Sequence, residues 1–273
     1  MMTFISHSFT MRRAILFLWL LACAASPAIA ASGTAWVTPH ESYSSSVGVL
    51  GCKINTDRVA YWPGSVDCNN VCVSLSYGGR TVYLLRIDQS GGAHDVSYDA
   101  WNYLYTGYSA TSKPTAGGEV AMEYADVDAS KCADLIHTKG HKLPFSAANS
   151  MNFIASCLDQ KDSWVAKNYL MYNILDPLCT WGYDEQCTLN YPADNQPKCP
   201  RTLGTPAALT SAPVYNIQYP SGKRVLAGQV ASVPGTSGSA YSLGGSRGNI
   251  IRLDAVRWTM LASLLFFSLL YSL

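Results

Sequence analysis

The stretch 80–104, RTVYLLRIDQSGGAHDVSYDAWNYL, limits the fold more than any other, because its periodicity changes twice within a few residues. Residues 81–88 carry Val82, Tyr83, Leu84, Leu85 and Ile87, the β-branched and aromatic composition of a largely buried strand. Gly91 and Gly92 follow Ser90 and supply the positive φ that a tight reversal needs. Ser97 then has the chemistry of a helix N-cap, with Asp99 in the first turn facing the helix dipole and Ala100, Trp101 and Leu104 behind it. Strand, turn, acidic residue and short helix form one unit, and the flanking segments are organised around it.

Before that unit, Val73, Leu75 and Tyr77 alternate with Ser74 and Ser76, and Gly78-Gly79 turns the chain into the central strand, which predicts a hairpin. After it, residues 105–118 read as a loop, and Val120, Met122 and Tyr124 alternate against Ala121 and Glu123. Upstream, 31–50 is Ser- and Tyr-rich and reads as an irregular or extended lead-in arm, while Tyr61-Trp62-Pro63-Gly64 reads as a turn. Short strands, glycine turns and one short helix suit a small barrel over 51–132. Beyond it lies a Cys-rich extension, 133–200. There 146–158 predicts a helix from Ala147, Met151, Ala155 and Leu158, and 164–175 fits strand and helix equally. Residues 201–245 are Ser, Thr, Ala, Gly and Pro with few apolar anchors, the composition of a stalk that cannot bury enough surface to order itself.

Both ends read as addresses. Arg12-Arg13, an apolar run over 14–25 and Ala28-Ile29-Ala30 form a secretory signal peptide, 1–30, too short for a comfortable span. Residues 258–273 are apolar to the last residue, with Arg247, Arg252 and Arg257 ahead of them, where a stop-transfer helix would carry its basic flank behind. With the small residues Gly244-Gly245-Ser246 upstream, this is the pattern of a glycosylphosphatidylinositol (GPI) attachment signal, 246–273, with Gly244 or Ser246 as the attachment residue. The expected product is an extracellular protein held on the outer membrane leaflet by lipid, or passed on to a cell wall.

Between the addresses, 14 Lys and Arg face 17 Asp and Glu, and no basic stripe forms, which argues against a nucleic-acid partner. Eight cysteines remain there: Cys52, Cys68, Cys72, Cys132, Cys157, Cys179, Cys187 and Cys199. An even number in a secreted chain predicts four disulfides among 105 formal connectivities. The last four staple the extension to itself, with bonds to the barrel left open. Cys68 and Cys72 lack a second ligand pair, and His137 and His141 flank a loop-like Lys139-Gly140, so neither a metal nor a cofactor is expected.

Taken together, VYLLRIDQSGGAHDVSYDAWNYL, Cys68-Asn69-Asn70-Val71-Cys72 with its following strand, and 119–127 with Cys132 resemble the barwin-like double-psi β-barrel family. That family includes barwins, expansin N-terminal domains, rare lipoprotein A and family 45 endoglucanases. The resemblance implies a mainly β fold: a six-stranded double-psi barrel with short helices, here carrying a disulfide-stapled α+β extension. In barwins the residue after the aspartate matching Asp88 is a cysteine; here it is Gln89, so that disulfide is absent.

The same resemblance locates the chemistry. Ala93-His94-Asp95-Val96-Ser97 is similar to the His-Phe-Asp-Leu-Ser step of expansins and the endoglucanases, where the aspartate lies in a polysaccharide groove and, in the enzymes, acts as general acid. Here His94 directly precedes Asp95. The residue-level alternative is that Asp95 caps the helix at Ser97. Glycoside hydrolysis normally needs a second carboxylate. The endoglucanases carry theirs in Tyr-Trp-Asp, whereas Tyr61-Trp62 is followed by Pro63, and Asp57 and Asp67 do not match the motif. Tyr61 and Trp62 read as a stacking platform for a sugar, or alternatively as a plug in one end of the barrel. The candidate ligand-binding set is therefore Tyr61, Trp62, Asp88, His94 and Asp95. The expectation is a monomeric surface protein of a fungal-type wall that binds glucan or chitin without cleaving it. Two alternatives are a weak glycan-cleaving enzyme, by lytic transglycosylation or hydrolysis with Asp95 as acid/base, and a protein-interaction or inhibitor module working through 133–200.

Overall fold

The computed structural model describes residues 31–228; the expected signal peptide, Gly244, Ser246 and 246–273 lie outside them. Six segments form β1 (Ser32–His40), β2 (Val59–Pro63), β3 (Cys72–Tyr77), β4 (Arg80–Ser90), β5 (His94–Ser97) and β6 (Val120–Asp126). They close into a barrel in the order β1-β5-β2-β4-β3-β6. The β1–β5 and β2–β4 pairs are parallel and the other four antiparallel. This mixed connectivity is compatible with a double-psi barrel.

Strand pleating sends Ala35, Val37, Ala60, Val73, Leu75, Val82, Leu84, Val96 and Met122 into one core. Helix α1 (Tyr98–Thr106) packs on that core through Ala100, Trp101 and Leu104. Trp101 is fully buried and donates its indole N–H to the Val37 carbonyl at 3.2 Å. The helix stops at Gly107, which takes φ 84°, and Arg80 ties down its C-terminus by donating to the Leu104 carbonyl at 2.6 and 2.9 Å. Ser97 occupies the N-cap position, but its hydroxyl leaves the helix uncapped and donates to the Thr56 carbonyl instead.

A second core lies outside the barrel. Val59, Tyr61, Leu85 and Ile87 point away from the lumen and pack with Ile136, Phe145, Ile154, Cys157 and Met171 of the extension. The extension contributes β7 (Leu143–Ser146), α2 (Met151–Asp159), α3 (Trp164–Lys167), β8 (Tyr169–Ile174) and β9 (Gly182–Cys187). The three strands form a sheet in the order β7-β8-β9. Two disulfides, Cys52–Cys179 and Cys68–Cys157, join extension to barrel. Cys72–Cys132 closes within the barrel region and Cys187–Cys199 within the extension. Four disulfides fit an oxidising, extracellular-type compartment.

The boundaries differ from the sequence-based expectation in several places. The supposed lead-in arm holds β1, a full barrel strand between β5 and β6, so the barrel begins at Ser32 and not at 51. The supposed turn at Tyr61-Trp62 is strand β2, with the reversal displaced to Gly64. Residues 164–175 contain both a helical turn and a strand, and the expected helix over 146–158 starts only at Met151. The first part of the supposed stalk is folded: β10 (Tyr215–Ile217) and β11 (Arg224–Leu226) form a hairpin, with Val214, Ile217 and Ala227 buried. Polar composition hides these anchors because the surface they cover belongs to distant strands.

The disulfide spans give a stability order. In the single-loop entropy picture, the 12-residue separation of Cys187–Cys199 is worth about 3 kcal/mol and the 127-residue separation of Cys52–Cys179 about 5 kcal/mol. Denaturant unfolding of the paired Cys→Ser variants should rank them in that order, and peptide mapping without reduction should recover the four linkages.

Candidate functional site

The candidate residues meet on the outer face of the barrel. Thr38 of β1 stands opposite Asp95 of β5, Asp95 opposite Tyr61 of β2, and Tyr61 opposite Asp88 of β4. Laterally paired residues project from the same face of a sheet, so these four form a row across four strands. The Asp95 carboxylate accepts a hydrogen bond from the Thr38 hydroxyl. Asp95 therefore sits mid-strand, tied to β1, and does not cap α1. His40, two residues beyond Thr38 on the same face, lies with its ring centroid 4.4 Å from that of Tyr61.

Asp88 is structural. Buried, it accepts from the Ser44 hydroxyl, from the Ser46 amide at 2.7 Å and from the Gln89 amide at 2.8 Å, fastening the 43–49 loop to the end of β4. Tyr61 is 3% exposed, and burial raises its phenol well above the ordinary range. The stacking role foreseen for Trp62 is contradicted by its position. It is 3% exposed, faces the lumen, and is closed in by His94 at 5.0 Å, Tyr124 at 5.1 Å and the Arg86 guanidinium at 5.7 Å. Trp62 plugs the barrel mouth remote from α1. His94 belongs to this plug, on the opposite side of β5 from Asp95. Burial and the nearby Arg86 charge lower its pKa, against the pull of Asp95. Beside them Asp126 has a raised pKa, chiefly from burial, and its Oδ1 and the Trp62 indole N–H have no hydrogen-bond partner among the described residues.

The exposed aromatic on the site face is one that motif reading missed. Trp36 of β1 is 63% exposed, two residues before Thr38 on the same face. The signal was present in the alternation Thr34-Ala35-Trp36-Val37-Thr38, where Ala35 and Val37 are buried, but the Ser-rich surroundings masked the strand. Thr34 fixes the neighbouring turn of the pleat by donating to Glu123 of β6 at 2.8 Å.

A second carboxylate set lies at the other end of this face. A narrow crevice bounded by His40, Tyr61, Asp57 and Asp99 runs beneath the β10–β11 hairpin. Asp99 is buried and satisfied by Arg58 at 2.8 Å, the Ser109 hydroxyl and the Ala110 amide at 2.7 Å. The Asp57 carboxylate makes no hydrogen bond or ion pair to protein among the described residues. Its pKa is raised, first by burial and then by Asp99, against the opposing charges of Arg58 and Arg224. Asp67 turns away from the face and accepts from the Asn69 and Asn70 amides.

Compared with known proteins, the chain matches no family model and no curated sequence.

Asp57 supplies a direct test of these electrostatics. The folded protein holds its proton more tightly than the unfolded chain, so the ionised carboxylate detracts from stability above the ordinary carboxylate range and not below it. Asp57→Asn should therefore raise Tm at pH ~7, with the gain disappearing near pH ~3, where both states are protonated. A variant that is less stable at neutral pH would show that the ionised carboxylate has a stabilising partner.

Proposed function

We propose that this chain is a secreted, GPI-anchored cell-surface protein whose barwin-like barrel binds cell-wall polysaccharide, glucan or chitin, without cleaving it. The observation that carries the reading is Trp36. A large indole, mostly exposed on a barrel strand and flanked by Thr38, Asp95 and His40, offers an apolar face beside hydrogen-bonding groups. A pyranose ring presents the matching pattern, a C–H face edged by hydroxyls. Solvent-exposed tryptophan on a rigid strand loses little entropy on binding, which suits a recognition surface.

The non-hydrolytic part of the reading rests on the carboxylates of that row. Asp95 is bound to Thr38, and Asp88, two strands away, is committed to Ser44, Ser46 and Gln89. Asp88 is thereby withheld from the base or nucleophile role that hydrolysis requires. The membrane anchor and the wall destination rest on the terminal sequence patterns alone.

The test is retention on insoluble chitin, β-1,3-glucan and cellulose, with the supernatant assayed for released oligosaccharide. Wild type should be retained on one polymer with a clean supernatant, and Trp36→Ala should lose that retention while its unfolding free energy stays within the range of a surface substitution, about ±0.5 kcal/mol. Trp62→Ala, by contrast, should cost about 3–5 kcal/mol as a buried plug. Released fragments would give Asp95 a catalytic role, and retention that survives Trp36→Ala would remove the proposed face.

A further inference from the structure

Between the loop 51–57, His137 of the extension and the C-terminal segment 213–224 lies a cleft of about 230 Å³. It shares Thr56, Asp57 and Tyr215 with the crevice below Tyr61, so it continues the face that carries Asp95 and His40. Two charged groups in its walls are uncommitted. Among the described residues the Asp57 carboxylate has no protein partner and Arg224 forms no ion pair. The Arg224 guanidinium instead lies over the Tyr215 ring, 4.6 Å from its centroid, and both side chains are exposed.

The charges around the cleft balance. Asp57 and Asp99 stand against Arg58 and Arg224, with His137 at the rim. That balance favours neither an anion nor a cation. A carboxylate acceptor, guanidinium and imidazole donors and a tyrosine wall together match a ring whose hydroxyls both donate and accept. The volume falls below the ~300–1,000 Å³ of pockets that enclose drug-sized ligands, so it suits a single ring better than a chain.

We propose that this cleft is a subsite for one neutral hexose ring, holding the end of the glycan that crosses the barrel at Trp36; the proposal rests on the glycan reading above. Four of its lining residues, Pro213, Val214, Tyr215 and Arg224, come from the C-terminal segment. Chain-end recognition would thus depend on the hairpin rather than on the barrel.

The experiment uses the full chain, produced in a secretory host and solubilised in detergent, with cellotriose, laminaritriose and chitotriose as probes in titration calorimetry. One trisaccharide should bind wild type. Tyr215→Ala and, separately, Arg224→Gln should weaken it roughly tenfold. Both variants should keep polymer retention within roughly twofold, a change small against that tenfold loss, whereas Trp36→Ala should lose retention yet still bind the trisaccharide. A wild-type protein that retains polymer but binds no trisaccharide, or binds it unchanged in both hairpin variants, would overturn the cleft and leave the glycan reading standing. Failure to bind any polymer or trisaccharide would remove both.

Discussion

The structure depends on two paired strands, β2 and the second half of β4, that are buried on both faces. In β4, Val82 and Leu84 fill the lumen while Leu85 and Ile87 face outward, and in β2 Val59 and Tyr61 face outward beside them. An isolated barrel would leave that outer apolar strip in water, at roughly 25 cal/mol for every Å² exposed. The extension is the layer that covers it. Phe145, Ile154 and Met171 supply the apolar contact, and Cys52–Cys179 and Cys68–Cys157 hold it in place. Barrel and extension therefore share a core and are not two modules joined by a linker.

The same double burial decides where a site can form. The β2–β4 side of the barrel is occupied by the extension, and the mouths are closed by Trp101 with α1 and by Trp62 with His94. The outer face of β1 and β5 stays open, and it is there that Trp36, Thr38, Asp95 and His40 come together. Asp88 and Asp99 are spent on holding loops in place, each with three hydrogen-bond partners. Near this face the Asp57 carboxylate makes no hydrogen bond or ion pair to protein among the described residues, and the Asp95 carboxylate accepts from the Thr38 hydroxyl. Burial, and after it the neighbouring Asp99 charge, raises the pKa of Asp57.

Within 80–104 strand β5, between turn and helix, was not foreseen, whereas the first strand, the glycine turn and the helix were legible because their signals are local. The β3–β4 hairpin and β6 were legible for the same reason. Strand β1 was not, since its partners, β5 and β6, lie more than fifty residues away and its own sequence is Ser- and Thr-rich. The hairpin of β10 and β11 was lost in a polar segment for a similar reason. It is held by the Tyr43 amide donating to Asn216, the Tyr219 amide donating to Glu41, and the Tyr219 hydroxyl on Gly117, all contacts across long separations.

By itself the sequence determined that this is a disulfide-bonded, mainly β chain with a central buried strand, because residue composition and alternation set which segments can pleat and bury. Only the tertiary structure decided which side of the sheet each residue faces. Tyr61 and Trp62 are neighbours in sequence, yet pleating sends one to the outer core and the other into the lumen. Trp36, unmarked by any motif, becomes the exposed aromatic of the face because barrel closure turns its strand outward at that position. Facing is fixed by register between distant strands, and a one-residue slip would exchange every inward residue for an outward one.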